Sequence, residues 1–317
     1  MANDPSSARL TLRKRLKYKF REWRSRAEST LPCVSRKAHH KLEASGNEVA
    51  QVVLAGLRPA TSAQLHVLKA PAAPVRGELC FFVSHAPRAS LKPHVLAHLS
   101  QLLDAGIAVV LVVNTDLPLD GMHIPDALLR RLSACVVRQN LGYDFAAWAH
   151  AHAAFAAWLQ PTLVLLVNDS IVGPLDAAAF RVLLDRLRSS TADMIGLTES
   201  FRPRYHLQSF FLAFGPRALA PLRSVFDGMV NLPTKELVIE IYETRLTAHM
   251  IELGLRCEAL FPTMARNVHV RPNDPVRRWP ALLSAGFPFV KASIVDRLRD
   301  DPTLERLVPA AWRQPRS

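Results

Sequence analysis

The stretch that decides the fold is residues 163–174, which reads Leu-Val-Leu-Leu-Val-Asn-Asp-Ser-Ile-Val-Gly-Pro. Five apolar residues run into three polar ones, and Gly173 and Pro174 then turn the backbone. A short apolar run bounded by turn residues indicates a strand buried on both faces, as in a parallel sheet. Ligands of open parallel sheets bind at the carboxyl ends of the strands. We therefore expect Asp169 either to face a ligand crevice or to form a local turn with nearby backbone N–H groups.

The sequence on both sides of this strand alternates between short apolar runs and amphipathic segments. The predicted strands are Leu79–Val83, Ile107–Val113, Ala134–Val137, Met194–Leu197 and Leu207–Phe214. The predicted helices are Leu91–Asp104, Pro125–Leu132, Phe145–Leu159, Ala177–Arg188, Pro216–Met229 and Lys235–Leu253. Such alternation implies βαβ units. We predict an α/β fold of the Rossmann type, with a mostly parallel sheet and helices on both faces.

The chain divides into four predicted segments, without an internal repeat. Residues 1–31 are a basic arm, and residues 32–75 are a poorly defined lead-in and linker. Within the lead-in, Glu48–Leu57 fits a strand or a short helix, and residues 70–75 have the composition of a linker. Residues 76–292 form the main α/β domain, and residues 293–317 form a C-terminal tail.

The positive charge is concentrated near the amino end. The net charge is +13, and residues 10–26 hold eight basic residues against Glu22 alone. Leu12, Leu16, Phe20 and Trp23 recur there at helical spacing, so a helix would have one apolar stripe and one basic face. Such a helix binds anionic membranes. Nucleic acid is the rival partner, and the remaining alternatives are an arm packed on its own domain and an organellar targeting helix.

The cysteines and the hydropathy pattern bear on where the protein works. Cys33, Cys80, Cys135 and Cys257 are far apart and form no CxxC pair, which favours free thiols in a reducing cytoplasm. No secretory signal is apparent, and no apolar run approaches the roughly 20 residues needed to span a bilayer. We expect a soluble or peripheral protein.

Polar residues follow each of the first four strands of the main domain. They are Ser84 and His85, then Asn114 and Asp116, then Arg138, Asn140, Gly142 and Asp144, and finally Asn168, Asp169 and Ser170. Because parallel strands end at the same edge of a sheet, these residues predict a nucleotide-type crevice. The sequence has no GxGxxG or GxxxxGK[ST] motif. A diphosphate bound here would depend on side chains and on a divalent cation, which a carboxylate such as Asp169 can hold.

Two later segments supply further candidates. His206 and Gln208 alternate with aromatic residues, so one face of their strand either lines a cleft or faces solvent. Glu240 and Glu243 lie three residues apart on a predicted helix and therefore share a face. Each is either ion-paired, for example with Arg245, or a catalytic base. Asp144 has a comparable alternative role as the N-cap or the first-turn acid of its helix.

Several short motifs, taken together, are similar to a known family. They are Arg138-x-Asn140-x-Gly142-Tyr143-Asp144, Asn168-Asp169-Ser170, Gly196-Leu197-Thr198, His206-Leu-Gln208-Ser209, Tyr242-Glu243, Asn273-Asp-Pro, Trp279 and Pro288-Phe-Val-Lys291. In this order they resemble the rhamnan synthesis protein F family over roughly residues 78–292. The resemblance implies a glycosyltransferase of bacterial cell-surface polysaccharide synthesis, such as O-antigen lipopolysaccharide, with rhamnose as the usual sugar.

The layout is also similar to that of inverting nucleotide-sugar transferases with a GT-A fold. The resemblance implies that Ser84, His85, Asn114, Asp116, Arg138, Asn140, Gly142, Asp169 and Ser170 bind the donor. Asp169 would hold Mg²⁺ or Mn²⁺, although Asn168-Asp169-Ser170 has one carboxylate where the Asp-x-Asp signature has two. Glu243 would be the base, with Asp144 as the other catalytic carboxylate. The acceptor cleft would contain His206, Gln208, Glu240 and Tyr242.

The resemblance also implies partners and a location. The donor would be a nucleoside-diphosphate sugar of the dTDP-rhamnose type, and the acceptor a lipid-linked glycan. The enzyme would lie in the bacterial cytoplasm, peripheral at the inner face of the cytoplasmic membrane, with residues 10–26 on anionic lipid. Nucleic acid is the weaker partner hypothesis. The alternative function is a catalytically inactive glycan-binding or scaffolding subunit of the same pathway.

Overall fold

The computed structural model describes residues 58–263, 273–298 and 300–313. They belong to a compact unit that begins at Pro59. The basic arm and the candidate element Glu48–Leu57 lie outside the described residues.

The chain alternates strands and helices through most of this unit. The strands are β1 Leu65–Lys69, β2 Val75–His85, β3 Ala108–Thr115, β4 Ala134–Gln139, β5 Leu159–Asn168, β6 Ile171–Val172, β7 Met194–Ser200, β8 His206–Leu207, β9 Phe211–Phe214, β10 Cys257–Phe261 and β11 Val290–Lys291. The helices are α1 Pro93–Asp104, α2 Asp126–Arg131, α3 Tyr143–Phe155, α4 Ala177–Ser189, α5 Pro216–Asp227, α6 Lys235–Val238, α7 Thr244–Glu252, α8 Asp274–Arg277, α9 Trp279–Ser284, α10 Ala292–Arg297 and α11 Pro302–Leu307. A π-helical turn, Ile239–Glu243, joins α6 to α7.

A nine-stranded sheet organises the described residues, in the order β1-β4-β3-β2-β5-β9-β7-β10, with β8 on β7. Parallel pairing links β4, β3, β2 and β5, and β7 pairs in parallel with β10. The strand β9 runs antiparallel to both β5 and β7, so β7 and β10 have the same direction as β5. The prediction of a mostly parallel sheet is therefore confirmed, with β1, β8 and β9 reversed.

Helices cover both faces because side chains alternate across each strand. On one face Cys80 and Phe82 of β2 join a cluster with Leu99 of α1 and Phe180 of α4. On the other face Trp148 of α3 is fully buried and donates its indole N–H to the carbonyl of Phe81, at 3.1 Å. In the parts where both faces are buried, at residues 79–83, 109–113 and 164–167, the central strands are continuous apolar runs.

Several strands are longer than predicted, among them β2, β4 and β7, and two further regions differ from the predicted elements themselves. β5 begins at Leu159, inside the predicted helix Phe145–Leu159, because α3 ends at Phe155 and a 3₁₀ turn follows. The predicted strand Leu207–Phe214 is wrong as a single element. It is divided into β8 and β9, which pair with different parts of β7, and both are buried throughout.

The predicted helix Lys235–Leu253 is likewise divided, by the π-helical turn between α6 and α7. Such turns inside helices occur frequently at functional sites.

Both ends of the predicted main domain extend further than expected. β1 pairs antiparallel with β4, so residues 65–69 of the segment 32–75 belong to the sheet, and residues 70–74 are a short connection to β2. In the predicted tail, Ile294 of α10 and Leu304 of α11 pack with Trp279 and Val290 in a second apolar cluster. The tail therefore joins the core through apolar burial.

Among the described residues, no helix combines the length and the apolar character that a bilayer crossing requires.

Candidate active site

The polar residues at the carboxyl ends of the central strands lie side by side along one edge of the sheet. The register places Val83 beside Asn168, His85 beside Asn114, and Asn114 beside Arg138. The predicted convergence of the strand ends thus follows directly from parallel pairing in register.

The turn after β5 is formed by Asn168. Its Oδ1 accepts hydrogen bonds from the backbone N–H of Ser170 at 3.1 Å and from the Ser170 hydroxyl at 2.6 Å. This is an Asx turn, in which a side-chain amide oxygen replaces a backbone acceptor. Because Asn168 supplies the turn, the carboxylate of Asp169 is available for contacts with β2.

Asp169 is held by three donors on one carboxylate oxygen. Its Oδ2 accepts from the Ser84 hydroxyl at 2.9 Å, the His85 backbone N–H at 3.0 Å and the Lys92 ammonium at 2.7 Å. Lys92 directly precedes α1. Charge-assisted hydrogen bonds of this kind are short and comparatively strong. A cation on this oxygen would have to displace the Lys92 ammonium.

The side chains around Asp169 do not form a binding site for a resident metal ion. In the part of the chain that the structure describes, no group of three His, Cys, Asp or Glu side chains is arranged to hold one. Asp169 supplies a single carboxylate, and Lys92 neutralises it. The expected metal role of Asp169 is therefore not supported by its contacts.

Asp144 lies in the first turn of α3 and faces the turn after β5. Its Oδ2 accepts a 2.6 Å hydrogen bond from the side-chain amide of Asn168. Burial is the largest cause that raises the pKa of Asp144 to about 6, and the negative charges of Asp169 and Glu243 add to it. A carboxylate whose pKa lies near neutrality is suited to proton transfer. The N-cap of α3 is Gly142, so Asp144 is not the cap; it is the acidic residue of the first helical turn, as the other form of that alternative predicted.

The backbone before Asp144 is unusual. Gly142 has φ +70° and Tyr143 has φ +58°, so two successive residues are left-handed. A Cβ on Gly142 would lie 2.6 Å from Ala146 Cβ and 2.8 Å from Asn231 Cα. Glycine is therefore required both by conformation and by space. The left-handed pair redirects the chain from β4 into α3 and brings Asp144 to the sheet edge.

Glu243 approaches the same region from the π-helical turn. Its Oε1 accepts the backbone N–H of Ser209 at 3.0 Å. The charge of Glu243 acts on both Asp144 and Lys291. The structure thus brings together the two carboxylates that the sequence analysis named as catalytic. The contact that orients Glu243 is thus a hydrogen bond from a backbone N–H and not an ion pair with Arg245.

Lys291, like Lys92, is a site residue to which the sequence interpretation gave no role. Its Nζ lies 3.2 Å from the Ser170 hydroxyl and 3.9 Å from the centroid of the Phe210 ring. Burial lowers the pKa of Lys291 to about 8, while the charges of Glu243 and Asp144 oppose that shift. The motif Pro288-Phe-Val-Lys291 was the one sequence feature that pointed to this residue. Lys291 follows Ser170 by 121 residues, so the sequence alone did not indicate their contact.

Three of the predicted donor residues form an outer rim. The His85 imidazole is half-exposed, the Asp116 carboxylate is exposed, and the two groups are 3.6 Å apart. Asn140 donates to Asp116 Oδ2 at 3.1 Å. Because they are polar and accessible, these side chains can contact a ligand.

Arg138 has a structural role rather than the expected donor-binding one. It is fully buried, and burial lowers its pKa to about 10. Its guanidinium donates to neutral acceptors only: His150 Nδ1, Asn114 Oδ1, Asn231 Oδ1 and the carbonyls of Ala60, Gln139 and Leu141. These bonds fix the loop after β4, so Arg138 positions Gly142 and Asp144 indirectly.

Most of the residues expected in the acceptor cleft instead form hydrogen bonds and packing contacts within the fold. The Tyr242 hydroxyl bonds the backbone N–H and carbonyl of Val230, and its ring packs on Phe145. Gln208 accepts from the Thr198 hydroxyl at 2.8 Å, and His206 Nδ1 lies 2.9 Å from the Arg204 carbonyl. Glu240 is partly buried one helical turn before Glu243.

Two solved structures are similar to this chain at low identity. One is a CMP:2-keto-3-deoxy-manno-octonic acid synthetase complexed with CTP, at 10% identity and a TM-score of 0.34, covering 67% of this chain and 99% of the synthetase. The other is glucosyl-3-phosphoglycerate synthase from Mycobacterium tuberculosis with Mn²⁺, UDP and phosphoglyceric acid, at 14% identity and a TM-score of 0.33, covering 66% of this chain and 77% of the synthase. At such TM-scores neither likeness bears on the function of this chain. No curated protein matches the sequence.

The family comparison covers most of the site. The family model of rhamnan synthesis protein F matches residues 109–305, more than half of the chain. The match includes Asp144, Asp169, Glu243 and Lys291, and it begins after Ser84, His85 and Lys92. With the motifs and this match in agreement, the chain belongs to the rhamnan synthesis protein F family.

Proposed function

We propose that this protein is a glycosyltransferase of polysaccharide synthesis, acting on a nucleoside-diphosphate sugar and a glycan acceptor. The observation that carries the proposal is the convergence of Asp144, Asp169, Glu243 and Lys291 at the carboxyl edge of the sheet. Carboxylates for proton transfer and ammonium groups for a leaving phosphate are the groups that glycosyl transfer needs. Family membership favours rhamnose as the sugar, on a carrier of the dTDP type, and a lipid-linked acceptor.

The proposed reaction is a single displacement that inverts the anomeric carbon. An acceptor hydroxyl oxygen attacks that carbon, and its proton passes to Glu243. The bond between the carbon and the phosphate oxygen breaks, and its electron pair leaves with the nucleoside diphosphate. Glu243 is suited to accept the proton because Ser209 N–H fixes one carboxylate oxygen and leaves the other for the acceptor. General-base catalysis of this type contributes about 10²–10⁴-fold to the rate.

The two parts of the site have different proposed roles. The outer rim of His85, Asp116 and Asn140 would contact the nucleoside, since these polar side chains are at least partly exposed and Asn140 orients the Asp116 carboxylate. The inner residues would surround the diphosphate and the sugar. Asp144 would contact the sugar or its acceptor, because its carboxylate faces the turn that ends β5.

The test is turnover of a panel of nucleoside-diphosphate sugars by the full-length protein, with and without lipid-linked acceptors. We expect release of one nucleoside diphosphate, and we expect Glu243→Gln to lower turnover by roughly 10²–10⁴-fold with little change in donor affinity. The reason is that the base acts on the acceptor hydroxyl and does not touch the nucleotide. Initial rates and calorimetric binding of the donor measure the two effects separately.

Glu240→Gln is the matched control, since it removes a carboxylate one turn away on the same element. Its turnover should stay close to that of the wild type. If Glu243→Gln kept full activity, Glu243 would not be the catalytic base, and Asp144 or Glu240 would become the candidate. Donor binding without turnover for every sugar and acceptor would instead support the glycan-binding or scaffolding subunit.

A further inference from the structure

The C-terminal segment delivers a lysine to the centre of the site. β11 pairs antiparallel with β6, which places Lys291 beside Ile171, and the backbone N–H of Ala292 donates to the Ser170 carbonyl at 2.9 Å. Close packing fixes this register, because a Cβ on Gly173 would lie only 2.6 Å from the Pro288 carbonyl oxygen. The position of Lys291 is thus set by backbone contacts on both sides of Lys291, with Ser170 and with the residues that directly follow it.

The ammonium of Lys291 has unused binding capacity. Of its three N–H donors, one is directed at the Ser170 hydroxyl, and the charge lies over the Phe210 ring. Within the described residues Lys291 forms no ion pair with a carboxylate. Keeping a cation in a desolvated place without an ion pair is costly, and the nearby charges of Glu243 and Asp144 offset only part of that cost, since the pKa of Lys291 stays lowered. A bound anion would relieve this cost.

Lys92 supplies a second ammonium to the same turn. It bonds Asp169 while Lys291 bonds Ser170, so two consecutive residues after β5 each hold a lysine. Together they place two ammonium groups along the turn that follows β5, one paired with Asp169 and the other bonded to Ser170. Lysine ammonium groups are common ligands of phosphate.

We propose that Lys291 and Lys92 bind the diphosphate of the sugar donor and replace the divalent cation, so that transfer proceeds without a metal ion. This inference rests on the proposed glycosyltransferase function. In the reaction the bond from the anomeric carbon to the phosphate oxygen breaks, and both electrons stay on the phosphate. The two ammonium groups offset the new negative charge and transfer no proton.

The experiment measures binding of UDP, dTDP, GDP and ADP to the full-length protein by calorimetry, in EDTA and in Mg²⁺ or Mn²⁺. We expect one nucleotide to bind equally well in all three buffers. Lys291→Met keeps an apolar stem over Phe210 and removes the charge, so it should weaken binding by roughly ten- to a hundredfold. Lys291→Arg should restore part of the affinity. Donor turnover in EDTA should follow the same order.

Arg217→Met is the matched control for the loss of one positive charge. Arg217 is exposed and pairs with Asp193, just before the amino end of β7, away from the site. The Arg217→Met variant should bind the nucleotide with the affinity of the wild type.

Two results separate the inference from the function on which it rests. Binding that EDTA abolishes and Mn²⁺ restores, together with wild-type affinity in Lys291→Met, would overturn the inference and leave the glycosyltransferase proposal standing. If no nucleoside diphosphate binds and no sugar donor is consumed in any buffer, both are wrong. Thermal melting curves confirm that each variant is folded.

Discussion

Asp144 is ionised in the folded protein only at a cost in folding free energy. Its carboxylate is partly buried and lies near the charges of Asp169 and Glu243, which raises its pKa from 3.8 to about 6. The folded protein therefore binds this proton more tightly than the unfolded chain does. The contribution to stability is present at low pH and is lost as the pH rises through about 6.

This linkage predicts the behaviour of Asp144→Asn. The amide can still accept the hydrogen bond from Asn168 and carries no charge, so we expect the variant to be more stable than the wild type at pH 8, by roughly 1–3 kcal/mol. Near pH 4 the difference should disappear, because the wild-type carboxyl is then protonated. Urea unfolding at the two pH values measures this. Equal gains at both pH values would show that the pKa is not the cause.

Single residues also mark the limit of what the sequence could predict. Asp144, Asp169 and Glu243 were recognisable as candidates, since each carboxylate follows a strand or lies on a helix at the expected place. Arg138 could not be separated from a ligand-binding arginine, because its neutral partners include Ala60 and Asn231, far away along the chain. Lys291 was missed for the same reason: its contact with Ser170 depends on packing between distant segments.

Among the elements, the turn into α3 is the one that most strictly requires a particular residue, the glycine at position 142. Gly142 combines φ +70° with a Cβ direction blocked by Ala146 and Asn231. We expect Gly142→Ala to destabilise the protein by about 2 kcal/mol or more and to lower turnover, because Asp144 lies two residues further on. Urea unfolding and initial rates measure these two effects.

Gly106→Ala is the control for conformation alone. Gly106 has φ +79°, yet a Cβ there would meet no atom within 4 Å. Its loss of stability should be about 1 kcal/mol, without loss of turnover. Equal losses in the two variants would mean that the blocked space at Gly142 has no effect.

The central elements were predictable because strands buried on both faces are continuous apolar runs, as in Leu163–Val167. Elements were misjudged where tertiary contacts interrupt a regular pattern. β8 and β9 were merged because the intervening Gln208, Ser209 and Phe210 contain no glycine or proline that would mark a break in the strand pattern. β1 was overlooked because its five residues alternate only weakly and owe their strand conformation to pairing with β4.

At the scale of the whole molecule, the positive charge is distributed unevenly along the chain, and this predicts membrane binding. Residues 10–26 hold about half of the net charge of +13. Each basic group near an anionic bilayer contributes about 1 kcal/mol, so we expect deletion of residues 1–31 to release the protein from phosphatidylserine vesicles in a flotation assay. Donor binding should persist, because the deleted residues lie outside the compact unit that holds the site.

The control replaces Arg13, Lys14, Arg15 and Lys17 by Gln and keeps the apolar stripe. It should also release the protein, and the effect should vanish at high salt, where charges are screened. Unchanged flotation of the deleted protein would reject the membrane role. Binding of the wild type to duplex DNA but not to vesicles at equal salt would favour nucleic acid as the partner.

The pairing of β11 with β6 has a consequence for the order in which the protein is made. The chain emerges from the ribosome amino end first, and domains begin to fold during synthesis. Asp144, Asp169 and Glu243 are all synthesised before residue 291, so the nascent chain can form its sheet while the site still lacks one ammonium group. The ammonium group that we assign to the donor's diphosphate is added after the three carboxylates, which ties substrate recognition to synthesis of the chain through residue 291.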